Sequence, residues 1–355
     1  MITIDGNHNE GGGQILRTAL ALSLITQKPF EITNIRAKRP KPGLKNQHLH
    51  CIKLIQKMSE SKCSDVELGS TKLRFYPKPL KIHDIELDIQ TAGSITLLLQ
   101  SILLPIIQNK RRKARLVIKG GTDVNWSPQF EYLKQVILPQ YGRYADIECF
   151  LSRRGYYPKG QGQIEIIIRR KKEENKEPLL LNEIGTLNQI RGIAHASLDL
   201  ESAHVADRMA KTATLMLKKY NVPVIISSQY ANTASTGCGI ILYAAYAPHE
   251  MNQADINNPI KVGADVLGEK KVKAEIIAER CAKKLAQYID AGVPVDEHLC
   301  DNLLPLLGIY GGILKTNTIT THTMTNIYVC EHFLDVKYIV DDKEKTITVQ
   351  KEAKE

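Results

Sequence analysis

The stretch Thr316-Asn317-Thr318-Ile319-Thr320-Thr321-His322-Thr323-Met324-Thr325-Asn326 sets a single histidine in a run of small hydroxyl residues. Such a run cannot bury itself as a core strand, and Thr321 or Thr323 suits the N-cap of a following helix. His322 therefore falls at a strand-to-helix tip, where a rigid scaffold presents reactive groups and a nearby helix N-terminus keeps an imidazole neutral and nucleophilic. A capping loop with an incidental histidine is the competing reading of this stretch alone. Glu10-Gly11-Gly12-Gly13-Gln14 opens another helix. Its glycines let backbone amides approach a phosphate, and Glu10 offers one carboxylate to a divalent cation. The pattern is neither a Walker A sequence nor the spaced-glycine dinucleotide fingerprint, and glycines at a helix start also serve as plain turn formers.

Arg17 lies one turn into that helix among Ile15, Leu16, Ala19 and Leu20. A guanidinium in such a stretch needs an anion, either a ligand phosphate or a carboxylate of the fold. The loop from Arg36 to Gln47 carries Arg36, Lys38, Arg39, Lys41 and Lys45 and is stiffened by Pro40 and Pro42, as a clamp for a fixed phosphate would be. His48 and His50 lack acidic neighbours and read as packing or surface histidines rather than metal ligands. Arg153-Arg154-Gly155-Tyr156-Tyr157-Pro158-Lys159-Gly160-Gln161-Gly162 mixes cations, aromatics and glycine, either a platform for a single-stranded nucleic-acid end or an ordinary turn.

The elements that must position these groups are those of an α/β (α+β) protein. With 355 residues, 43% hydrophobic and 24% charged, the chain can bury one or two large cores. Seven scattered cysteines without a Cys-x-x-Cys pair indicate neither a disulfide framework nor a zinc site and fit a reducing cytoplasm. Met1 to Asp5 reads as a strand rather than a signal segment, and the longest apolar run, Ile95 to Ile107, is too short to span a bilayer. Forty-eight Lys and Arg against 38 acids give a net charge of +10, which favours a polyanionic partner.

A helix, strand, loop, helix, strand order recurs along the chain. It spans Ile15 to Tyr76, then Ser94 to Leu151, then Asp296 to Val349, and the three loops Arg36–His48, Gly120–Pro128 and Thr316–Thr323 are expected to converge. The charged run Arg169 to Pro178 reads as a linker, and Lys110 to Arg115 as the exposed end of a turn. Residues 1–179 and 267–355 are expected to form a large domain of three βαβαββ units, and 180–266 a smaller inserted α/β domain. The helix from Lys270 to Ile289 is expected to return to the large body.

The segments EGGGQILRTALALS, RPKPGLKNQHL, TAGSITLLLQ, GGTD, RGYYPKGQG, GEKKVKAE, DEHLCDNLLPL and HTMTN, in this order over nearly all of the chain, resemble the RNA 3'-terminal phosphate cyclase family. The resemblance implies a large domain of three repeats, akin to the C-terminal half of bacterial initiation factor three and to enolpyruvyl transferases, with a small domain inserted before the third. It implies a ligase acting in RNA processing, with ATP as substrate, Mg or Mn as divalent metal, RNA 3' ends as partner, no membrane partner, and room for an oligomer. His322 would attack the α-phosphate of ATP and carry AMP, which passes to an RNA 3'-phosphate. The vicinal 2'-hydroxyl would then close a 2',3'-cyclic phosphodiester. By position, Gln100, Pro128, His298, Leu299, Cys300, Asp301 and Asn302 resemble the nucleotide site, with Pro128 facing adenine. Arg17, Arg36, Arg39 and Gln47 would bind phosphates of ATP and RNA, and Glu10 would help hold the metal.

Two departures stand out. Gly160-Gln161-Gly162 replaces three consecutive glycines, and His298 stands where the family commonly has a tyrosine to stack on adenine, which makes His298 the rival nucleophile. A non-catalytic relative that binds RNA in ribosome assembly shares the fold but lacks the adenylylated histidine.

Overall fold

The computed structural model of the chain describes residues 1–81, 84–109, 113–171, 177–248, 255 and 258–351. Residues 110–112, the start of the Lys110–Arg115 run, and residues 172–176 of the charged linker lie outside them. The fold is a mixed α/β one, and among the described residues the strands form four four-stranded sheets. The first contains β1 (Ile2–Asp5), β2 (Phe30–Thr33), β3 (Lys62–Cys63) and β4 (Leu73–Tyr76), with α1 (Gly13–Thr26) and α2 (Asn46–Ser59) between them. The second contains β5 (Ile85–Asp88), β6 (Lys113–Gly120), β7 (Ala145–Arg153) and β8 (Gly162–Arg170). Its helices are α3 (Ile95–Gln100), α4 (Leu103–Gln108), α5 (Phe130–Tyr132) and α6 (Leu138–Tyr141), the last two joined by a π-helical turn.

The third sheet contains β9 (Leu179–Leu181), followed much later by α9 (Glu297–Tyr310), β14 (Gly312–Lys315), α10 (Thr321–Phe333), β15 (Val336–Asp341) and β16 (Thr346–Lys351). Between β9 and α9 run β10 (Thr186–Ser197), α7 (Val205–Leu217), β11 (Val224–Ala231), β12 (Cys238–Ala247), β13 (Ile260–Leu267) and α8 (Ala274–Ala291).

The strand orders are β1-β2-β4-β3, β5-β6-β8-β7 and β9-β14-β16-β15, each with a parallel first pair and antiparallel neighbours after it. The fourth sheet differs, running β11-β10-β12-β13. β9 is absent from the sequence expectation: Leu179 to Leu181 is too short to show alternation, and its partner β14 is more than a hundred residues away.

Two apolar cores result. The larger joins the first three sheets through α1, whose residues Ile15 to Leu24 are all buried because it packs against α2, α3, α4 and α10. An all-round apolar helix is what such a central position demands. The smaller core is formed by β10, β12 and β13 under α7 and α8. The helix expected to rejoin the large body from Lys270 therefore does otherwise. Ile277, Ala278, Cys281, Ala282, Leu285 and Tyr288 recur at helical spacing, and that face covers the small sheet beside α7.

Candidate active site

Four helices begin at one cavity of about 920 Å³: α1 at Gly13, α2 at Asn46, α9 at Glu297 and α10 at Thr321. Each points the positive end of its dipole towards the cavity, although Asp296 caps the first N–H groups of α9 and Thr320 caps Thr323 N of α10. Glu10, Arg17, Arg36, Arg39, Gln47, Gln100, Pro128, His298, Asp301, Asn302 and His322 all line this cavity.

Leu299 and Cys300 do not. Both are fully buried in the core, because the wall formed by α9 takes residues three and four apart, His298, Asp301, Asn302 and Pro305, and leaves Leu299, Cys300, Leu303 and Leu304 on the opposite face. Within the Arg153–Gly162 segment, Arg154 and Tyr156 are turned inward and leave Tyr157 as its exposed aromatic. Arg154 is buried, with Nη1 donating to Asp123 Oδ2 at 2.8 Å, and the buried Tyr156 hydroxyl lies 2.7 Å from His195 Nδ1.

Helix α10 is capped one residue earlier than expected. The Thr320 hydroxyl accepts from Thr323 N at 3.0 Å, and Thr320 N donates to the Thr323 hydroxyl at 3.3 Å. His322 is thus the second residue of the helix, half-exposed in the cavity. Its Nδ1 lies 2.6 Å from Gln14 Oε1 and its Nε2 2.9 Å from Glu10 Oε2. Glu10 Oε2 in turn accepts from Arg39 Nη2 at 3.1 Å. Burial holds the imidazole below its ordinary value against the upward pull of Glu10, and Arg39 and Arg17 push the same way as burial.

Below the histidine, Asp301 Oδ1 accepts from the Thr323 hydroxyl at 2.7 Å and the Thr320 hydroxyl at 3.3 Å, while its carbonyl accepts from Asn326 Nδ2 at 2.6 Å. Asn326 Oδ1 takes the Thr18 hydroxyl at 2.8 Å, which ties α10 to α1. Burial raises the Asp301 carboxyl to about 7, with the nearby acids Asp296 and Glu297 adding to it and the two threonine bonds opposing it.

A relay also crosses the cavity: Arg17 Nε donates to Gln100 Oε1 at 3.0 Å, and Gln100 Nε2 donates to Asn302 Oδ1 at 2.8 Å. Among the described residues no carboxylate pairs with Arg17, whose partner is a neutral amide. Burial lowers its guanidinium to about 10. Arg36 is lowered by burial and by Arg39, and the buried His48 ring is pushed down to about 3 by burial, then by Arg17, Arg36 and Lys45. These cations crowd one another, which a bound polyanion would relieve. His48 is a packing residue, as its lack of acidic neighbours implies: Nδ1 accepts from Lys45 N at 3.0 Å, and the ring lies under Gly13.

Two acids stand at and behind the wall, Asp265 lining the cavity and the buried Asp296 behind it. Asp265 accepts from Gln129 N at 2.9 Å, and Asp296 caps α9 and accepts from Tyr132 and from Gly263 N. Both carboxyls are raised, by burial first. His298 Nε2 lies 2.7 Å from Lys284 Nζ. Gln14, Thr320, Thr323, Asn326 and Lys284 are the residues that sequence reasoning missed. All but Lys284 lay inside motifs already singled out, and Lys284 had no local signal because α8 carries it in from the other core.

A small hard cation held by one or two carboxylates together with substrate phosphates fits Glu10. An all-protein cage does not, since among the described residues no three His, Cys, Asp or Glu side chains cluster as ligands.

Fold and cavity together define an α/β protein with His322 and a cluster of arginines in one cavity. The family model described as RNA 3'-terminal phosphate cyclase matches residues 8–340. The chain is 40% identical over 344 residues to the RNA 3'-terminal phosphate cyclase of Pyrococcus abyssi, covering 96% of this chain and 95% of the relative. It is 41% identical over 347 residues to that of Saccharolobus islandicus, covering 97% of each, and 40% identical over 367 residues to that of Methanosarcina acetivorans, covering 97% and 98%. The chain belongs to the RNA 3'-terminal phosphate cyclase family of enzymes. Among the described residues no helix is long and apolar enough to cross a membrane.

Proposed function

We propose that the protein converts an RNA 3'-terminal phosphate to a 2',3'-cyclic phosphodiester at the expense of ATP, through AMP carried on His322. The observation that carries this reading is the placement of His322, between Gln14 and Glu10, in one cavity with Arg17, Arg36 and Arg39. Nδ1–H donating to Gln14 Oε1 would fix the ring, which leaves Nε2 as the attacking nitrogen once its proton has gone to Glu10. Nε2 would then bond to the α-phosphorus of ATP as the bond to the departing diphosphate breaks. AMP would next pass to the RNA 3'-phosphate, regenerating the imidazole, and the neighbouring 2'-hydroxyl would displace AMP to close the ring. The hydroxyl is held beside the activated phosphorus by its own ribose, so the closure needs no external nucleophile.

Arg17, Arg36, Arg39 and Gln47 would grip the phosphates and stabilise charge on the transferred group, and Gln100 and Asn302 would keep Arg17 aligned. A divalent metal, held by Glu10 once that carboxylate has passed the His322 proton on, would supply charge neutralisation at the phosphates. Pro128, His298, Asp301 and Asn302 remain the candidates for holding the nucleoside. The shared strand order of three sheets supports reading them as three copies of a βαβαββ unit. The packing of α8 supports extending the inserted domain from 266 to about residue 293. Seven unpaired cysteines support a cytoplasmic setting.

The test is incubation with α-labelled ATP and Mg²⁺, followed by a 3'-phosphorylated oligoribonucleotide. Acid-labile label should enter the protein, be lost in His322→Ala, and be discharged as RNA is cyclised. Label that survives in His322→Ala but not in His298→Ala would move the nucleophile to His298. RNA binding without any label would favour the non-catalytic reading.

A further inference from the structure

The loop between β6 and α5 holds one residue that the mechanism above does not use. Trp126 lines the cavity, yet it is 97% exposed and sits at φ +66. Either feature is unfavourable: an indole left in water forgoes the burial that makes tryptophan stabilising, and a bulky non-glycine residue in the left-handed region is strained.

The loop around it is fixed. Ser127 Oγ donates to the Val124 carbonyl at 2.8 Å, Thr96 Oγ1 to the Pro128 carbonyl at 2.8 Å, and Gln129 N to Asp265 Oδ2 at 2.9 Å. Asp123, at the loop's start, is held by Arg154. A rigid loop thus presents a bare aromatic face at the rim of a cavity whose other walls carry the phosphate-binding arginines. Such a face at such a place takes a flat π-system, and ligands that carry phosphates into this cavity carry nucleobases with them.

We propose that Trp126 is the stacking platform for a nucleobase at the mouth of the site. The proposal rests on the reading of the cavity as a site for ATP and RNA. The base is either the adenine of ATP or a base near the RNA 3' end, and the two are separated by experiment. Trp126 is the sole tryptophan of the chain, so emission excited at the red edge of the indole band, where the 14 tyrosines do not absorb, reports on this ring alone.

The full chain is titrated with ATP in the presence of EDTA, and separately with a pentaribonucleotide ending in a 3'-phosphate. Saturable quenching by one of the two is expected and names the source of the base. Trp126→Ala should raise KM for that same substrate roughly 5- to 100-fold, the range typical of one lost base-aromatic stack, with KM for the other unchanged and Trp126→Phe retaining most of the effect. Emission that responds to neither titrant, or a Trp126→Ala enzyme with both KM values intact, overturns the proposal. Because the titrations need no turnover, they decide the matter even if His322 proves not to carry AMP.

Discussion

Replacing Asp301 by asparagine should make the protein more stable at alkaline pH, an unusual sign for loss of a buried, hydrogen-bonded carboxylate. Oδ1 is the acceptor for both Thr320 and Thr323, and an amide oxygen can fill that place. The substitution therefore removes the charge and keeps the cap of α10. The carboxyl titrates near 7 in the folded protein, because burial disfavours its charged form. In the unfolded chain it titrates near 3.9. The folded state thus holds the proton more tightly, so the contribution to stability is greatest below the unfolded value and declines as pH rises towards 7. Between pH 5 and pH 8.5 the linkage amounts to ~3 kcal/mol lost by the parent and not by Asp301→Asn. Melting curves at the two pH values should therefore diverge by on the order of 5 °C more at pH 8.5 than at pH 5, in favour of the variant. Parallel curves, with the same gap at both pH values, would refute the claim that burial keeps this carboxyl protonated.

Gly13→Ala should destabilise the protein by about 1 to 3 kcal/mol and reduce labelling by ATP, because the added methyl would lie 2.2 Å from Nε2 of the buried His48 ring and 3.3 Å from Arg17 Nη1. Gly12→Ala is its control: the nearest atom there is Arg39 Nη2 at 3.5 Å, so melting should stay near that of the parent. Arg17→Met should hold or raise the melting temperature, since burial already strains the guanidinium down to about 10, while raising KM for ATP or RNA at least roughly tenfold. A sharp loss of stability with unchanged KM would show that Arg17 serves the fold rather than the ligand.

Residues of the cavity were legible where chemistry contradicts burial. Arg17 announced itself as a cation in an apolar helix, and His322 as an imidazole among threonines that must cap something. Both reach the cavity because the residues around them, Ile15 to Leu24 in one case and the Thr320–Thr323 box in the other, decide the local structure without distant help. Leu299 and Cys300 misled for the opposite reason. Adjacency in a motif was read as adjacency in space, whereas α9 turns each of them about 100° from its neighbour on the wall. β9 and α8 were misplaced because their partners are remote in sequence. Three residues of β9 acquire meaning only beside β14, and the amphipathic face of α8 fits either core equally well on paper. The Arg154 and Tyr156 motif, basic and aromatic as a platform would be, is consumed by Asp123 and His195.

The choice between two histidines turns on which atoms surround them, not on where they lie in a helix. His322 and His298 each occupy the second position of a helix capped by the preceding turn, Thr320 in one case and Asp296 in the other. A dipole argument cannot separate them. Their partners can. The ammonium of Lys284 has only hydrogens to give, so the contact at 2.7 Å engages the Nε2 lone pair of His298, the pair a nucleophile would need. His322 meets acceptors at both nitrogens, an amide oxygen and a carboxylate, so its ring is held by the hydrogens it donates. When the Nε2 proton moves to Glu10, the lone pair that appears points at the Glu10 carboxyl, which must turn aside before Nε2 can reach a phosphate in the cavity lined by Arg17, Arg36 and Arg39. On the reading proposed above, His298 would hold still beside a nucleoside and His322 would attack phosphorus.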